Sequence, residues 1–357
     1  MQIYMPTKVY SEKDCVKNHG NEISSLGKKA MIITGKYSSR KNGSLRDMEE
    51  VLQSQQISYM IFDEIEENPS VETVMKAREA GLQEKVDFVI GIGGGSPLDA
   101  AKAIALMIAN PNETEEVLYE VRELKHLPVV CVPTTCGTGS EVTPYSILTL
   151  HKKRTKQSIS HRIYPVLALL DAGYLASMPR DGLVNTCVDA LAHLIESYLN
   201  TNSNELNRIY AREGLGVWQQ FKGNLLEDKV TEQDYEKMLH ASMIAGMAIS
   251  HTGTSLPHGL SYGVTYELGV PHGKAVGMFL GGYVEIYQDK KDVEEVLRLL
   301  GFIDASAFRQ YLRELLGVVE VEEALMRKNV QGLLANKAKL KNYPFEITEQ
   351  ELMGMGN

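Results

Sequence analysis

The sequence lacks most of the features that mark secreted, membrane-spanning or nucleic-acid-binding chains. Its 357 residues contain four cysteines (Cys15, Cys131, Cys136 and Cys187), none in a C-x-x-C pair. These are too sparse for a disulfide framework, so reduced thiols in a cytoplasmic protein are expected. The first residues, MQIYMPTKVYSEKD, include no apolar run and predict no secretory leader. No block of Lys and Arg occurs, and 37 basic residues face 46 acidic ones, a net charge of −9. Nucleic acid or an anionic membrane would need a basic face, and neither is expected as a partner. Between Lys237 and Glu267 there is no charged Asp, Glu, Lys or Arg at all. The length suits a membrane span, but Pro257, several glycines and His240, His251 and His258 among Ser and Thr do not suit hydrocarbon. This stretch reads as protein buried inside protein.

What is present is an ordinary globular composition, 43% hydrophobic and 23% charged, long enough for about two domains. The first half alternates short apolar runs with helix-like stretches. Ala30–Gly35, Ile57–Asp63, Val86–Ile92 and Pro128–Val132 predict buried strands, and Ser70 predicts the N-cap of a helix after Asn68-Pro69. Such alternation predicts an α/β domain with a parallel sheet covered by helices. From about Met178 helical patterns dominate, at roughly 183–199, 205–221, 232–249, 274–287, 291–299, 304–316 and 321–334. Thr348 with Glu351 forms a capping-box signature for a last short helix. The expected organisation is an α/β domain over 1–178 and an all-α domain over 179–357.

Two segments carry ligand-binding chemistry in the α/β part. Gly91-Ile-Gly-Gly-Gly-Ser-Pro-Leu-Asp-Ala-Ala-Lys102 joins a strand to a helix, with Ser96 suited to the N-cap, Pro97 to the first helical position and Asp99 to the third. Glycines allow close backbone approach, and free N–H groups at the helix start favour an anion such as phosphate. Pro133-Thr-Thr-Cys-Gly-Thr-Gly-Ser-Glu-Val-Thr143 follows the next strand and offers small hydroxyls to the same nucleotide. Both lie beyond strand carboxyl ends, where open α/β sheets bind ligands.

The helical part carries a metal-like constellation. Asp189 and His193 are four apart and share one helix face, nearly opposite the stripe of Val184, Cys187, Val188, Leu191, Leu194, Ile195 and Tyr198. Alone, this pair reads as a solvated polar face. His258, in the charge-free stretch, and His272, just before a helix, change that reading. A carboxylate with three imidazoles suits Zn²⁺ or Fe²⁺, and an open position would make the site catalytic. The other histidines (His19, His126, His151, His161, His240 and His251) read as structural or surface residues.

GIGGGSPLDAAKAIA, PTTCGTGSEVT, the D-x-x-x-H of Asp189 and His193, and PHGLSY followed by VPHGKAVG together resemble the iron-containing alcohol dehydrogenase family, within the dehydroquinate synthase-like fold. The resemblance runs nearly the whole chain and is closest to bacterial 1,3-propanediol-dehydrogenase-like members. It implies a nucleotide-binding N-terminal domain and a metal-binding helical one, a cytoplasmic homodimer, and iron or zinc with NAD or NADP as cofactors. It implies Asp189, His193, His258 and His272 as metal ligands. Gly94, Gly95, Ser96 and Asp99 match the pyrophosphate turn, and Thr134, Thr135, Thr138 and Ser140 the second cofactor loop, with Asn68 and Lys156 as further contacts. Two departures stand out. Members that use H-x-x-x-H place a proton-relay histidine where this chain has Tyr262; a phenol passes a proton less readily near neutral pH. Members that prefer NAD carry an Asp after the first strand, where this chain has Gly35 followed by Lys36, Ser38, Ser39, Arg40 and Lys41. Loss of a carboxylate and gain of hydroxyls and cations favours the 2′-phosphate of NADP(H). The expected activity is hydride transfer between NADP(H) and a small primary alcohol, diol or aldehyde. The alternatives on the same fold are a glycerol-type polyol dehydrogenase and a metal-dependent lyase.

Overall fold

The computed structural model describes residues 3–356. Contacts divide it into two units: Met5–Thr135 with Gly139–Met178, and residues 179–356 with 3–4 and 136–138.

The first unit is built on a six-stranded sheet. Its strands are β1 (Lys8–Ser11), β2 (Lys29–Thr34), β3 (Ser58–Phe62), β4 (Phe88–Gly93), β5 (Val129–Pro133) and β8 (Leu167–Leu170), while β6 (Ile147–Leu150) and β7 (Thr155–Ser158) form an antiparallel hairpin. The order across the sheet is β1-β8-β5-β4-β2-β3, and every pairing is parallel. The alternation of strand side chains explains why both faces are covered. Met31 and Ile33 enter one core with Val74, Leu98 and Ile104 from helices Val71–Glu84 and Gly95–Ala109. Ala30 and Ile32 enter the other with Leu45, Met48 and Leu52 from helix Ser44–Ser54. A parallel sheet buried on both sides needs such continuous apolar strands. In the sheet β4 lies beside β5, with Gly93 opposite Pro133. Both glycine-rich segments therefore leave neighbouring strand ends, on the carboxyl edge of the sheet.

Four strands depart from the sequence reading. KVYS and TKQS are too polar, and ILTL and LALL too short, to carry a strand signal of their own; tertiary pairing makes them strands. The Ser70 cap is present, its side chain accepting from the Thr73 N–H.

The second unit is helical. Its long helices are Arg180–Tyr198, Glu205–Leu226, Glu232–Thr252, Leu256–Leu268, His272–Ile286, Lys290–Leu300, Ala305–Leu316 and Glu323–Ala335. Arg180–Tyr198 is the central one: every residue from Cys187 to Asn200 is buried. Trp218, fully buried beneath it, donates its indole N–H to the Cys187 carbonyl at 3.0 Å. The Asn204 and Thr231 capping boxes fix two helix starts, and the Thr348–Glu351 box forms as the sequence predicts. The charge-free stretch becomes the end of Glu232–Thr252 and the body of Leu256–Leu268, largely buried within this unit. Among the described residues no helix is long and apolar enough to cross a membrane. The four cysteines are buried and unbridged, Cys136 Sγ lying 3.6 Å from Cys187 Sγ.

Candidate functional site

Three helices bring the four metal-ligand candidates together. Asp189 and His193 project one turn apart from the central helix, His258 stands in the first turn of Leu256–Leu268, and His272 opens His272–Ile286. Gly273 allows the last approach. A Cβ there would lie 1.8 Å from the Asn185 carbonyl oxygen, so only glycine lets this helix start against the central one. Asp189 Oδ1 is the focus: His258 Nε2 lies 3.3 Å away, and His193 Nε2 and His272 Nε2 each 3.8 Å. Donor atoms bound at about 2.1 Å to one ion stand roughly 3–3.5 Å apart. The ligand atoms of Asp189, His258 and His272 all lie within 4.8 Å of one another, a group that could hold a metal ion, and His193 approaches it at Asp189 Oδ1.

The polar accounting supports the fit. Asp189, His193 and His258 are 4%, 6% and 2% exposed, yet Asp189 Oδ1 and His258 Nε2 have no hydrogen-bond partner. Two buried polar atoms facing each other without a hydrogen bond are costly unless a third species sits between them. The His272 side chain is 28% exposed, so one side of the cluster reaches solvent. Burial would raise the Asp189 carboxyl, but the three imidazoles outweigh it and hold the group below its usual range. Burial pushes His193 down against the pull of Asp189. His258 behaves oppositely: burial opposes its charge, but Glu196 and Asp189 together lift it to about 9. An anionic oxygen and three imidazole nitrogens in a buried setting suit Fe²⁺ or Zn²⁺.

Three neighbours were missing from the sequence reading. Glu196, wholly buried, accepts from the backbone N–H groups of Ser255 (2.9 Å) and His258 (3.2 Å) and meets His258 Nδ1. Its signal was available, since seven residues after Asp189 is nearly the same helix face. His193 Nδ1 meets the Gly137 carbonyl at 3.2 Å, which leaves Nε2 for the cluster. Lys339 donates to Thr254 Oγ1, and its ammonium stands 5.9 Å from the centre of the Tyr262 ring. Burial lowers it to about 8. Tyr262 itself, one turn after His258, stacks on His272 at 5.9 Å and 13°. His126, His161 and His251 hydrogen-bond backbone carbonyls, a structural use.

The nucleotide-binding candidates are placed within the α/β unit, except Thr138, which groups with the helical one. Gly93 has φ +148°, and a Cβ on it would meet Pro97 Cγ at 2.7 Å. The tight turn starts the helix earlier than the sequence predicts: Gly94 is the cap, and Ser96 and Asp99 fall inside the helix. Ser96 Oγ instead accepts from the Asn68 N–H (3.0 Å), and Lys156 donates to Asn68 Oδ1 (2.6 Å), so these three candidates form one cluster. Gly94 approaches Thr135 so closely that a Cβ would stand 3.0 Å from its methyl, and the Thr134 N–H donates to the Gly93 carbonyl. Asp99 accepts from Ser140 Oγ (2.5 Å) and the Ile147 N–H (2.9 Å). Lys102, with no exposed surface, donates to Ser140 Oγ and the Tyr145 carbonyl, both at 2.7 Å. Asp99 and Lys102 thus tie the first glycine turn to the second cofactor loop. After β2, Lys36, Ser38 and Lys41 are exposed, whereas Ser39 is buried and hydrogen-bonded to Thr34.

Glu141 in the second loop is 2% exposed and its Oε1 has no hydrogen-bond partner. Burial, only partly offset by its own backbone N–H and by Lys102, pushes its carboxyl from 4.5 up to about 7. Because the folded value is the higher one, its contribution to stability is intact below about pH 4.5 and lost as pH rises through 7. Glu141→Gln is therefore expected to be more stable than the parent at pH 8.5 by up to about 3 kcal/mol, with little difference at pH 4.5. Urea melts at the two pH values check this.

The chain thus carries a parallel sheet with glycine turns at its carboxyl edge and a helical unit that brings one Asp and three His near one another. The family pattern described as "Iron-containing alcohol dehydrogenase" matches residues 6–172, and "Fe-containing alcohol dehydrogenase family, C-terminal" matches residues 183–340. The chain belongs to the iron-containing alcohol dehydrogenase family and is an NAD(P)-dependent oxidoreductase. It is 29% identical over 304 residues to an NADPH-dependent butanol dehydrogenase of Clostridium saccharobutylicum, covering 84% of this chain and 77% of that one. It is 40% identical to an iron-containing alcohol dehydrogenase of Thermotoga maritima of known structure, with TM-score 0.92 and coverage of 99% and 98%. A 1,3-propanediol oxidoreductase structure shares the fold at 23% identity, TM-score 0.89 and the same coverage. Other curated relatives are longer, the chain spanning 33% of one and 59% of another.

Proposed function

We propose that this chain transfers a hydride between NADP(H) and a small primary alcohol or diol and its aldehyde. The observation that carries the reading is that the ligand atoms of Asp189, His258 and His272 lie within 4.8 Å of one another, with His193 Nε2 3.8 Å from Asp189 Oδ1 and a buried carboxylate oxygen and imidazole nitrogen left without hydrogen bonds. An Fe²⁺ or Zn²⁺ ion held by these four would act as a Lewis acid toward a substrate oxygen, and the nicotinamide would supply the hydride chemistry. The protein's own part is positioning. Asp189 supplies the one negative charge among the four ligands, and His272, on the exposed side, borders the substrate's approach. Tyr262, stacked on His272, would carry a proton between a substrate oxygen and solvent. In the other unit the turn at Gly93–Ser96, with Asn68 and Lys156, offers N–H groups and a cation to phosphate.

The butanol dehydrogenase relative is described as NADPH-dependent, and Gly35 with exposed Lys36, Ser38 and Lys41 supports the same preference here. Replacing both Lys36 and Lys41 by alanine is expected to raise KM for NADPH roughly tenfold or more, the value of a charge-assisted contact, and to leave KM for NADH little changed. Steady-state kinetics with both cofactors check this. The function is tested with metal-free protein reloaded with Fe²⁺ or Zn²⁺, against a panel of C2–C6 aldehydes, alcohols and diols with NADPH and NADH. The reading expects NADPH-linked turnover that is largest with small primary alcohols or diols and their aldehydes. Turnover confined to glycerol-like polyols, or product formation without change in cofactor absorbance, contradicts it.

A further inference from the structure

We propose that Glu196 is a positioning residue for the metal centre: it fixes His258 as a ligand through Nε2 and thereby sets metal affinity. This rests on the metal-centre reading of Asp189, His193, His258 and His272. A histidine can offer either ring nitrogen, and the bond made by one decides which is free. Glu196 Oε2 meets His258 Nδ1, and Oε1 accepts the backbone N–H groups of Ser255 and of His258 itself. One carboxylate thus holds both the ring and the first turn that carries it. A carboxylate has no hydrogen to give, so Nδ1 must be the donor, and Nε2, 3.3 Å from Asp189 Oδ1, is the nitrogen left for a metal ion.

Glu196 also lies on the central helix, seven residues after Asp189 and three after His193, on the face that bears both. A single helix therefore supplies two ligands and the carboxylate behind a third. His193 shows the contrast, since its Nδ1 meets a neutral carbonyl, that of Gly137. A carboxylate behind an imidazole raises the basicity of the ligating nitrogen more than a carbonyl does, so His258 is a stronger donor than His193. Glu196 has no exposed surface, and His258 first and then the Lys339 ammonium hold its carboxyl below the usual range against burial. Replacing the carboxylate with an amide keeps an oxygen for the two backbone N–H groups. However, it removes the charge and introduces an NH₂ that can donate to Nδ1, which would shift the ring proton to Nε2.

The test is direct metal binding. Metal-free wild type and Glu196→Gln are titrated with Zn²⁺ in competition with a chromophoric chelator, and both metal-free forms are melted to compare folding. The expected result is a folded variant whose Zn²⁺ affinity is about 10–100-fold lower. Equal affinity in a folded variant overturns the proposal. If Glu196→Gln does not fold, Glu196→Asp is titrated instead: it keeps the charge but draws it back from Nδ1, and an affinity loss of about threefold or more is expected, equal affinity again being the contrary result. If neither wild type nor variant binds Zn²⁺, the metal-centre reading itself has failed, an outcome distinct from equal binding.

Discussion

Asp189→Asn is expected to leave the protein folded, with its bound metal reduced from about one ion per chain to a small fraction and kcat/KM for alcohol oxidation down by about 10³-fold. The size follows from the donor set. Three of the four candidate ligands are neutral imidazoles, and Asp189 is the anion among them, 4% exposed with Oδ1 within 3.8 Å of every Nε2. The amide is nearly isosteric, so packing changes little, but the charge that attracts a divalent ion in a buried site is lost. Several kcal/mol of Lewis-acid stabilisation would go with the ion, and each 1.4 kcal/mol is a factor of ten. Elemental analysis and steady-state kinetics on the same preparation check both parts. Full metal occupancy with wild-type rates would show that the four side chains are not the metal site.

Lys102→Met is expected to cost about 3–5 kcal/mol, the penalty for removing one partner of a buried charge pair. The Lys102 ammonium has no exposed surface and stands 3.6 Å from Asp99 Oδ1, while donating to Ser140 and to the Tyr145 carbonyl. Burial already pushes Asp99 up, and Lys102 is the largest influence holding it down. Without the ammonium the carboxylate must take up a proton or water must enter. For a unit of this size the loss corresponds to a melting temperature lower by roughly 10 °C. The same change frees the loop from Ser140 to Ile147, so NADPH should bind more weakly as well. Thermal melts followed by fluorescence titration with NADPH measure both effects.

These two residues were not equally visible in the sequence. Asp189 was legible through its spacing to His193 and its company of His258 and His272, although its helix misled in one respect. The apolar stripe through Val184, Cys187, Leu191 and Ile195 predicts a wet opposite face, yet the helix is buried all round from Cys187 onward because other helices cover its polar side. A polar face on a central helix is therefore a site, not a surface. Glu196 escaped for the same reason, since a lone helical glutamate is normally solvated. Lys102 escaped because its value depends on Ser140 and Tyr145, some forty residues away in sequence. The parallel sheet was legible where strands are continuously apolar, as in AMIIT and VDFVIGI. It was not legible in KVYS or TKQS, which become strands only through their neighbours. The glycine turn was recognised but its phase was not: Gly93, at φ +148°, turns the chain sooner than a Ser96 cap would require.

Metal-dependent hydride transfer is tested most directly by following NADPH absorbance while metal is added back to metal-free protein in the presence of a C3–C4 aldehyde. No cofactor oxidation is expected before addition, with onset at the first equivalent of Fe²⁺ or Zn²⁺ per chain and one NADPH consumed for each alcohol formed. Oxidation that proceeds equally without metal, or none with any aldehyde in fully loaded protein, would contradict it.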